Sequence, residues 1–370
     1  MAQSFLVYAF LIFAMFFLGN NSFYKKYRPK KGFFRFNVFL SLIIFSVISG
    51  LRYDVGVDYF SYLESYQDLL SYSKIESESR FEYGFSFLQK QFARYDIHYS
   101  IMFGFYAFLQ IFLIYYAFKK EQYLYPYLSF IIMTGGFYFT MMNEIRQSIA
   151  CCLLILGVHF AKKTHLLKYL ALAFIAVAFH SSGVILIPIL LILVFKIDFF
   201  KSIWLQLALL ASSIFINETD VLFWISDTFA QQIDFFSQND KYENILDVIS
   251  IWEKNYVKGV RYYSKLLIFV IIILYSKKLK SAFSNTNFIK FYNLFFIGAI
   301  LFVLTYNNTL YQRPARYFMF MEIIISAYTL MYLLKNKFSI ALLLISLNIL
   351  IFAAYVLSDH HTYYLFFWQA

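Results

Sequence analysis

Long hydrophobic segments recur along this chain, and the gaps between them alternate between strongly basic and not. Six short gaps carry the bias: 21–36, 119–124, 162–168, 196–202, 276–290 and 335–337. They hold 19 of the 32 Lys and Arg residues but only two of the 21 acids, Glu121 and Asp198, a net +17. The other 13 basic and 19 acidic residues give −6, which restores the overall +11. A short loop rich in Lys and Arg resists transfer across a membrane, so the basic gaps stay cytoplasmic and the loops between them go outside. The basic balance therefore belongs to one face and gives no reason to expect a nucleic-acid partner.

The chain is 61% hydrophobic and 14% charged, with four prolines in 370 residues. Soluble domains carry about 25% charged residues, so lipid is the expected solvent. Spans of about 17 to 25 mostly apolar residues are expected near 2–19, 36–51, 99–118, 124–142, 145–161, 166–180, 183–196, 202–217, 264–276, 290–306, 317–334 and 338–357. The expected fold is an all-α, polytopic membrane bundle of about twelve transmembrane helices, a single membrane domain over 1–370 with both termini outside. Residues 166–196 are split because a single helix at about 1.5 Å per residue would overreach the bilayer, and His180, Ser181, Ser182 and Gly183 suit a tight hairpin. The first segment lacks a basic leader and a small-residue cleavage pattern, so it is expected to be retained. Cys151 and Cys152 are adjacent within a span and suit neither a disulfide framework nor a metal site.

Two expected external loops, 52–98 and 218–263, are long and dense in Tyr, Phe, Asp, Glu and Ser. Phe81, Phe85, Leu88 and Phe92 form one helical stripe, as do Trp224, Phe229, Ile233 and Phe236, so both loops are expected to carry helices lying on the membrane. Long loops of this kind often carry function.

Polar residues gather at four expected external helix ends. After the second span, Arg52, Asp54 and Asp58 lie within seven residues, and a helix starting beyond Gly56 puts Tyr59, Tyr62 and Tyr66 on one face. Arg offers a donor fork to phosphate, Asp accepts a proton and Tyr stacks on sugars; the plain alternative is an Arg–Asp pair with an aromatic belt. Asn143–Ala150 places Glu144 and Arg146 between two spans, as a phosphate ligand or an ordinary turn. His180 is a cap or a catalytic group, and without acids or cysteines at ligand spacing it is not expected to bind metal. Arg313 and Arg316 flank Pro314 at the outer end of a span, against the charge bias, which suits an external anion; internal pairing with Glu322 or loop acids is the alternative. There is no glycine-rich phosphate loop, His-Glu-x-x-His or nucleophile elbow, and no cofactor is expected.

Five pieces, RYDVGVDYFSYLESY, EYGFSFL, NEIRQSIA, AFHSSG and YQRPARYF, stand in this order along the chain. With the span pattern, they resemble the EpsG-type, Wzy-like polymerases of bacterial surface polysaccharides over nearly the full length. The resemblance implies a glycosyltransferase at the external face of the cytoplasmic membrane, joining oligosaccharide repeat units carried on a polyprenyl diphosphate. It implies neighbours in the same pathway, a chain-length regulator and a flippase. The expected roles are diphosphate binding by Arg146, Arg313, Arg316 and Arg52, proton removal by Asp58, Asp54 or His180 with Asp58 slightly preferred, and sugar binding by Tyr59, Tyr62, Tyr66 and Trp252. The C-terminal HTYYLFF lacks the Pro-Tyr often found in the family's tail and is given no role. A lipid-linked oligosaccharide flippase, an external glycan ligase and an acyltransferase share much of this layout. A flippase, however, needs charges through mid-membrane rather than at outer ends.

Overall fold

The computed structural model describes residues 1–19, 35–71, 81–195, 197–219, 258–307 and 309–369. Helices make up nearly all of it, because continuous apolar runs in lipid can satisfy their backbone only within the segment. Among the described residues, four stretches are long and apolar enough to cross a membrane: Ala2–Gly19, Tyr99–Ala117, Gln312–Asn336 and Phe338–Ser358. Phe36–Gly50, Ile145–Val158, Ser181–Val194, Ile203–Asn217 and Phe288–Leu304 are shorter apolar helices. Leu6, Phe10, Phe13 and Phe17 stand exposed along Ala2–Gly19, as do Leu342, Leu343, Ile349 and Leu350 along Phe338–Ser358. Such aligned apolar surface suits lipid.

The chain divides into two compact units, residues 1–196 with 326–370, and residues 197–325. The first contains α1 (Ala2–Gly19), α2 (Phe36–Gly50), β1 (Arg52–Tyr53), α3 (Tyr59–Ser71), α4 (Tyr83–Arg94), α5 (Tyr99–Ala117), α6 (Tyr125–Thr134), α7 (Phe137–Asn143), α8 (Ile145–Val158), α9 (Leu166–Phe179) and α10 (Leu186–Val194). The expected span 124–142 is thus interrupted at Gly135–Gly136 between α6 and α7. Helices α2 and α5 cross where Gly50 meets Gly104: a Cβ on Gly50 would lie 2.4 Å from the Ser100 carbonyl, so only glycine lets the backbones approach.

After α9 the backbone of His180 is extended, one 3-10 turn spans Ser181–Ile185, and α10 begins. Tyr169, in the first turn of α9, donates to the Leu186 carbonyl at 2.7 Å. The chain has therefore doubled back at the expected hairpin.

Helix α4 turns its inner face differently from the expected stripe. Phe85, Ser86 and Gln89 are buried, while Leu88 is half-buried and Phe81 precedes the helix. Gln89 supplies the reason, since its amide meets the Tyr62 carbonyl and Ser65 on α3, each at 3.5 Å. Buried polar groups are placed by their partners as well as by apolar periodicity.

The second unit holds α11 (Ile203–Asn217), α12 (Val260–Ala282), α13 (Phe288–Leu304), α14 (Thr309–Met319) and the start of α15 (Met321–Asn336). Helix α12 has 23 residues where a short span was expected at 264–276. One end is tied by Lys280, which donates to Asp198 and to the Phe200 carbonyl at 2.7 and 2.5 Å. Nearer its other end, Lys265 pairs with the buried Glu322 at 2.7 Å. In the first unit, α15 leads to α16 (Phe338–Ser358) and then to β2 (Leu365–Phe366), which pairs antiparallel with β1, Arg52 opposite Phe366.

Candidate active site

Four of the five pieces read from the sequence meet in the first unit, and three of them stand at a helix end opposite a basic gap. Arg52 follows α2, whose other end carries Arg35; Arg146 opens α8, which runs toward Lys162 and Lys163. His180 closes α9, which begins beside Lys163 and Lys168.

The loop 52–58 is held from three directions. Arg52 is fully buried, and its guanidinium donates to the carbonyls of Ser49, Val55 and Met142, the last two at 3.4 Å. Its charge lies 4.7 Å from the Phe103 ring and 5.7 Å from that of Tyr59. Ser49 and Met142 sit at the C-terminal ends of α2 and α7, where carbonyls lack helical partners and a cation is favoured. Gly56, at φ +99°, lies so close to the next segment that a Cβ would be 2.9 Å from Asn143 Cα. Beside it the Asp58 N–H donates to Asn143 Oδ1 at 2.9 Å. Asp54 takes a left-handed backbone, φ +53°, unusual for a residue other than glycine, and its carboxylate lies 3.7 Å from His361.

Helix α3 does begin beyond Gly56, and Tyr59, Tyr62 and Tyr66 do share a face. That face is buried. Tyr59 stacks on Phe103 at 5.1 Å, Tyr62 packs against Phe81 and Phe85, each at 5.4 Å, and the Tyr66 hydroxyl donates to the Ile97 carbonyl.

Glu82 is the hub that sequence reading did not single out. It sits at the N-cap of α4 yet makes no capping bond to its own helix. One carboxylate oxygen takes the ion pair from Arg146; the other lies 2.9 Å from His180 Nδ1 and accepts the Ser181 N–H at 3.1 Å. Arg146 also lies over the rings of Phe81, at 4.4 Å, and Tyr62, at 5.9 Å. Partial burial opposes ionisation of Glu82, but its bonds from His180, Ser181 and its own backbone, with the charge of Arg146, hold the carboxyl down at about 2. Burial pushes the neighbouring Tyr62 phenol up to about 12, so both groups keep their ordinary charge at neutral pH. The side chains of Glu82, His180 and Arg146 are 20%, 16% and 22% exposed, within reach of a ligand in a way that Arg52 is not.

Arg313 and Arg316 lie in the second unit on α14, which contains Pro314. Arg313 is exposed, and half-buried Arg316 reaches Gln312 at 3.5 Å. Glu322 gives its carboxylate to Lys265, a partner not anticipated from sequence. Trp252, and residues 220–257 of the second long loop with the stripe from Trp224 to Phe236, lie outside the described residues.

The C-terminal segment has a definite place in the first unit. The Gly56 N–H donates to the His361 carbonyl at 2.8 Å, and the Phe367 N–H to the Leu51 carbonyl at 3.0 Å. Buried Tyr364 donates to the Ile48 carbonyl at 2.7 Å, and Tyr8 to the Thr362 carbonyl at 2.8 Å. The tail thus grips both ends of the loop that begins with Arg52.

Apolar helices with polar groups collected at their ends define an integral membrane protein. The family model of the EpsG family matches residues 34–369, and the chain belongs to that family, which comprises Wzy-like polysaccharide polymerases. No curated protein and no solved structure matches it.

Proposed function

We propose that the chain is a glycosyltransferase that polymerises polyprenyl-diphosphate-linked oligosaccharide repeat units at the external face of the bacterial cytoplasmic membrane. In this reading it works as one membrane domain of about twelve spans with both termini outside, the basic gaps lying in the cytoplasm. The reading is carried by one observation: Arg146, Glu82 and His180 form a reachable polar cluster, with Arg146 and His180 at helix ends opposite basic gaps.

The chemistry asks little of the protein beyond charge and a base. The acceptor hydroxyl attacks the anomeric carbon of the growing glycan; a C–O bond forms there while the bond to the diphosphate oxygen breaks, and the electron pair leaves with the lipid diphosphate. Guanidinium groups stabilise that departing charge. Arg146 is assigned this role. Among the three candidate bases, His180 is favoured over Asp58 and Asp54, because an acid already orients its ring. Arg52 is assigned to support, its fork being filled by main-chain carbonyls. Tyr59, Tyr62 and Tyr66, all packed inward, are assigned to support rather than to sugar.

The test supplies purified protein in vesicles with lipid-linked repeat units and no nucleotide sugar. Lengthening of the glycan on its lipid is expected. Unchanged length with altered sidedness would instead make the protein a flippase, and transfer to a non-lipid acceptor would make it a ligase.

A further inference from the structure

We propose that Glu82 is the orienting partner of a His180 base, holding the imidazole through Nδ1 so that Nε2 receives the proton of the acceptor hydroxyl. The inference rests on the reading of the chain as a glycan polymerase and adds the residue that makes its base directional.

An ionised carboxylate only accepts hydrogen bonds. The 2.9 Å contact between Glu82 Oε1 and His180 Nδ1 therefore places the proton on Nδ1, and the lone pair of the neutral ring falls on Nε2. The carboxylate has no freedom to swing away, since the Ser181 N–H shares the same oxygen and Arg146 takes the other. Three segments distant in sequence, at residues 82, 146 and 180–181, are thereby fixed about one group. When Nε2 takes the acceptor proton, the imidazolium forms against an existing negative charge, and the proton later passes to water. Among the described residues, the charged and titratable groups around the cluster are Arg146 on α8 and Tyr62 on α3, with Asp58 and Glu144 acting on Tyr62 through space. A plain structural clip would hold Arg146 and His180 equally well but would leave the protonation of the base untouched.

The experiment compares wild type, Glu82→Gln and Glu82→Asp by their polymerisation rate against pH, using purified protein and lipid-linked repeat units. Losing the negative charge makes the imidazolium harder to form. For E82Q, turnover is expected to fall by about 10²–10⁴-fold, with the acid limb moved to lower pH; E82D is expected to keep the limb near its wild-type position. Unchanged turnover in folded E82Q, or reduced turnover with an unmoved acid limb, would overturn the proposal. Nitrogen NMR of the ¹⁵N-histidine-labelled wild-type protein, with His180 assigned through H180Q, gives an answer that does not depend on E82Q folding. A neutral ring protonated at Nδ1 is expected, and one protonated at Nε2 overturns the proposal. A wild-type protein that fails to lengthen lipid-linked glycan would defeat the polymerase reading instead, whatever the tautomer.

Discussion

Two arginines that look alike in sequence part company through burial. Arg52 is sealed among three carbonyls and an aromatic ring, whereas Arg146 is reachable and shares its carboxylate with a histidine. Arg52→Met is expected to destabilise the fold by about 2–4 kcal/mol, because charge-assisted bonds to three main-chain carbonyls are lost in a fully buried place. Thermal unfolding checks this, and an R52M protein that melts like wild type yet cannot polymerise would return Arg52 to the diphosphate. Glu82 makes a separate pH prediction. Its folded-state value lies below the ordinary carboxylate range, so its stabilisation is present above about pH 4.5 and is lost as pH falls toward about 2. Melting curves of wild type should lose stability through that window, with a smaller loss in E82Q; identical acid profiles would contradict it. None of this selectivity was visible locally, since the partners of Glu82 lie 64 and 98 residues away in sequence. The motif EYGFSFL marked the segment, but only folding identifies its glutamate as the hub.

At the scale of elements, helix periodicity worked where one face alone decides burial. Tyr59, Tyr62 and Tyr66 follow i, i+3, i+7 and are buried together. It worked less well for α4, where Gln89 seeks polar partners on α3, and it had nothing to offer for the tail, whose role consists of main-chain bonds to a loop more than 300 residues earlier. Deleting residues 359–370 should leave an inserted protein with a loosened 51–56 loop and little polymerisation, read from membrane abundance together with glycan length; normal length from the truncated protein would remove the tail from the account. The buried Lys265–Glu322 pair also escaped sequence reading because its members are 57 residues apart. Neutralising either partner leaves a buried charge uncompensated and is expected to cost about 3–5 kcal/mol, while replacing both with apolar residues of similar size restores stability. A double mutant no more stable than the singles would contradict that pairing.

At the scale of the whole molecule, the alternation of basic gaps was the most legible feature, because the membrane reads charge and hydropathy along the chain before any tertiary contact forms. The proposed orientation is open to cysteine labelling, since Cys151 and Cys152 are both buried and give little background. An impermeant thiol reagent added outside should label Ser182→Cys and not Lys163→Cys; the reverse would invert the topology and move the cluster to the cytoplasm. What sequence could not supply was which of the scattered polar groups at the expected outer face converge. The most direct test of that convergence assays purified wild-type, Arg146→Lys and His180→Gln proteins on defined lipid-linked repeat units. The account predicts a glycan ladder from wild type and, from each folded variant, a rate lower by about 10²-fold or more, as when a charge-stabilising donor or a base is removed. Wild-type ladders from both variants would contradict it.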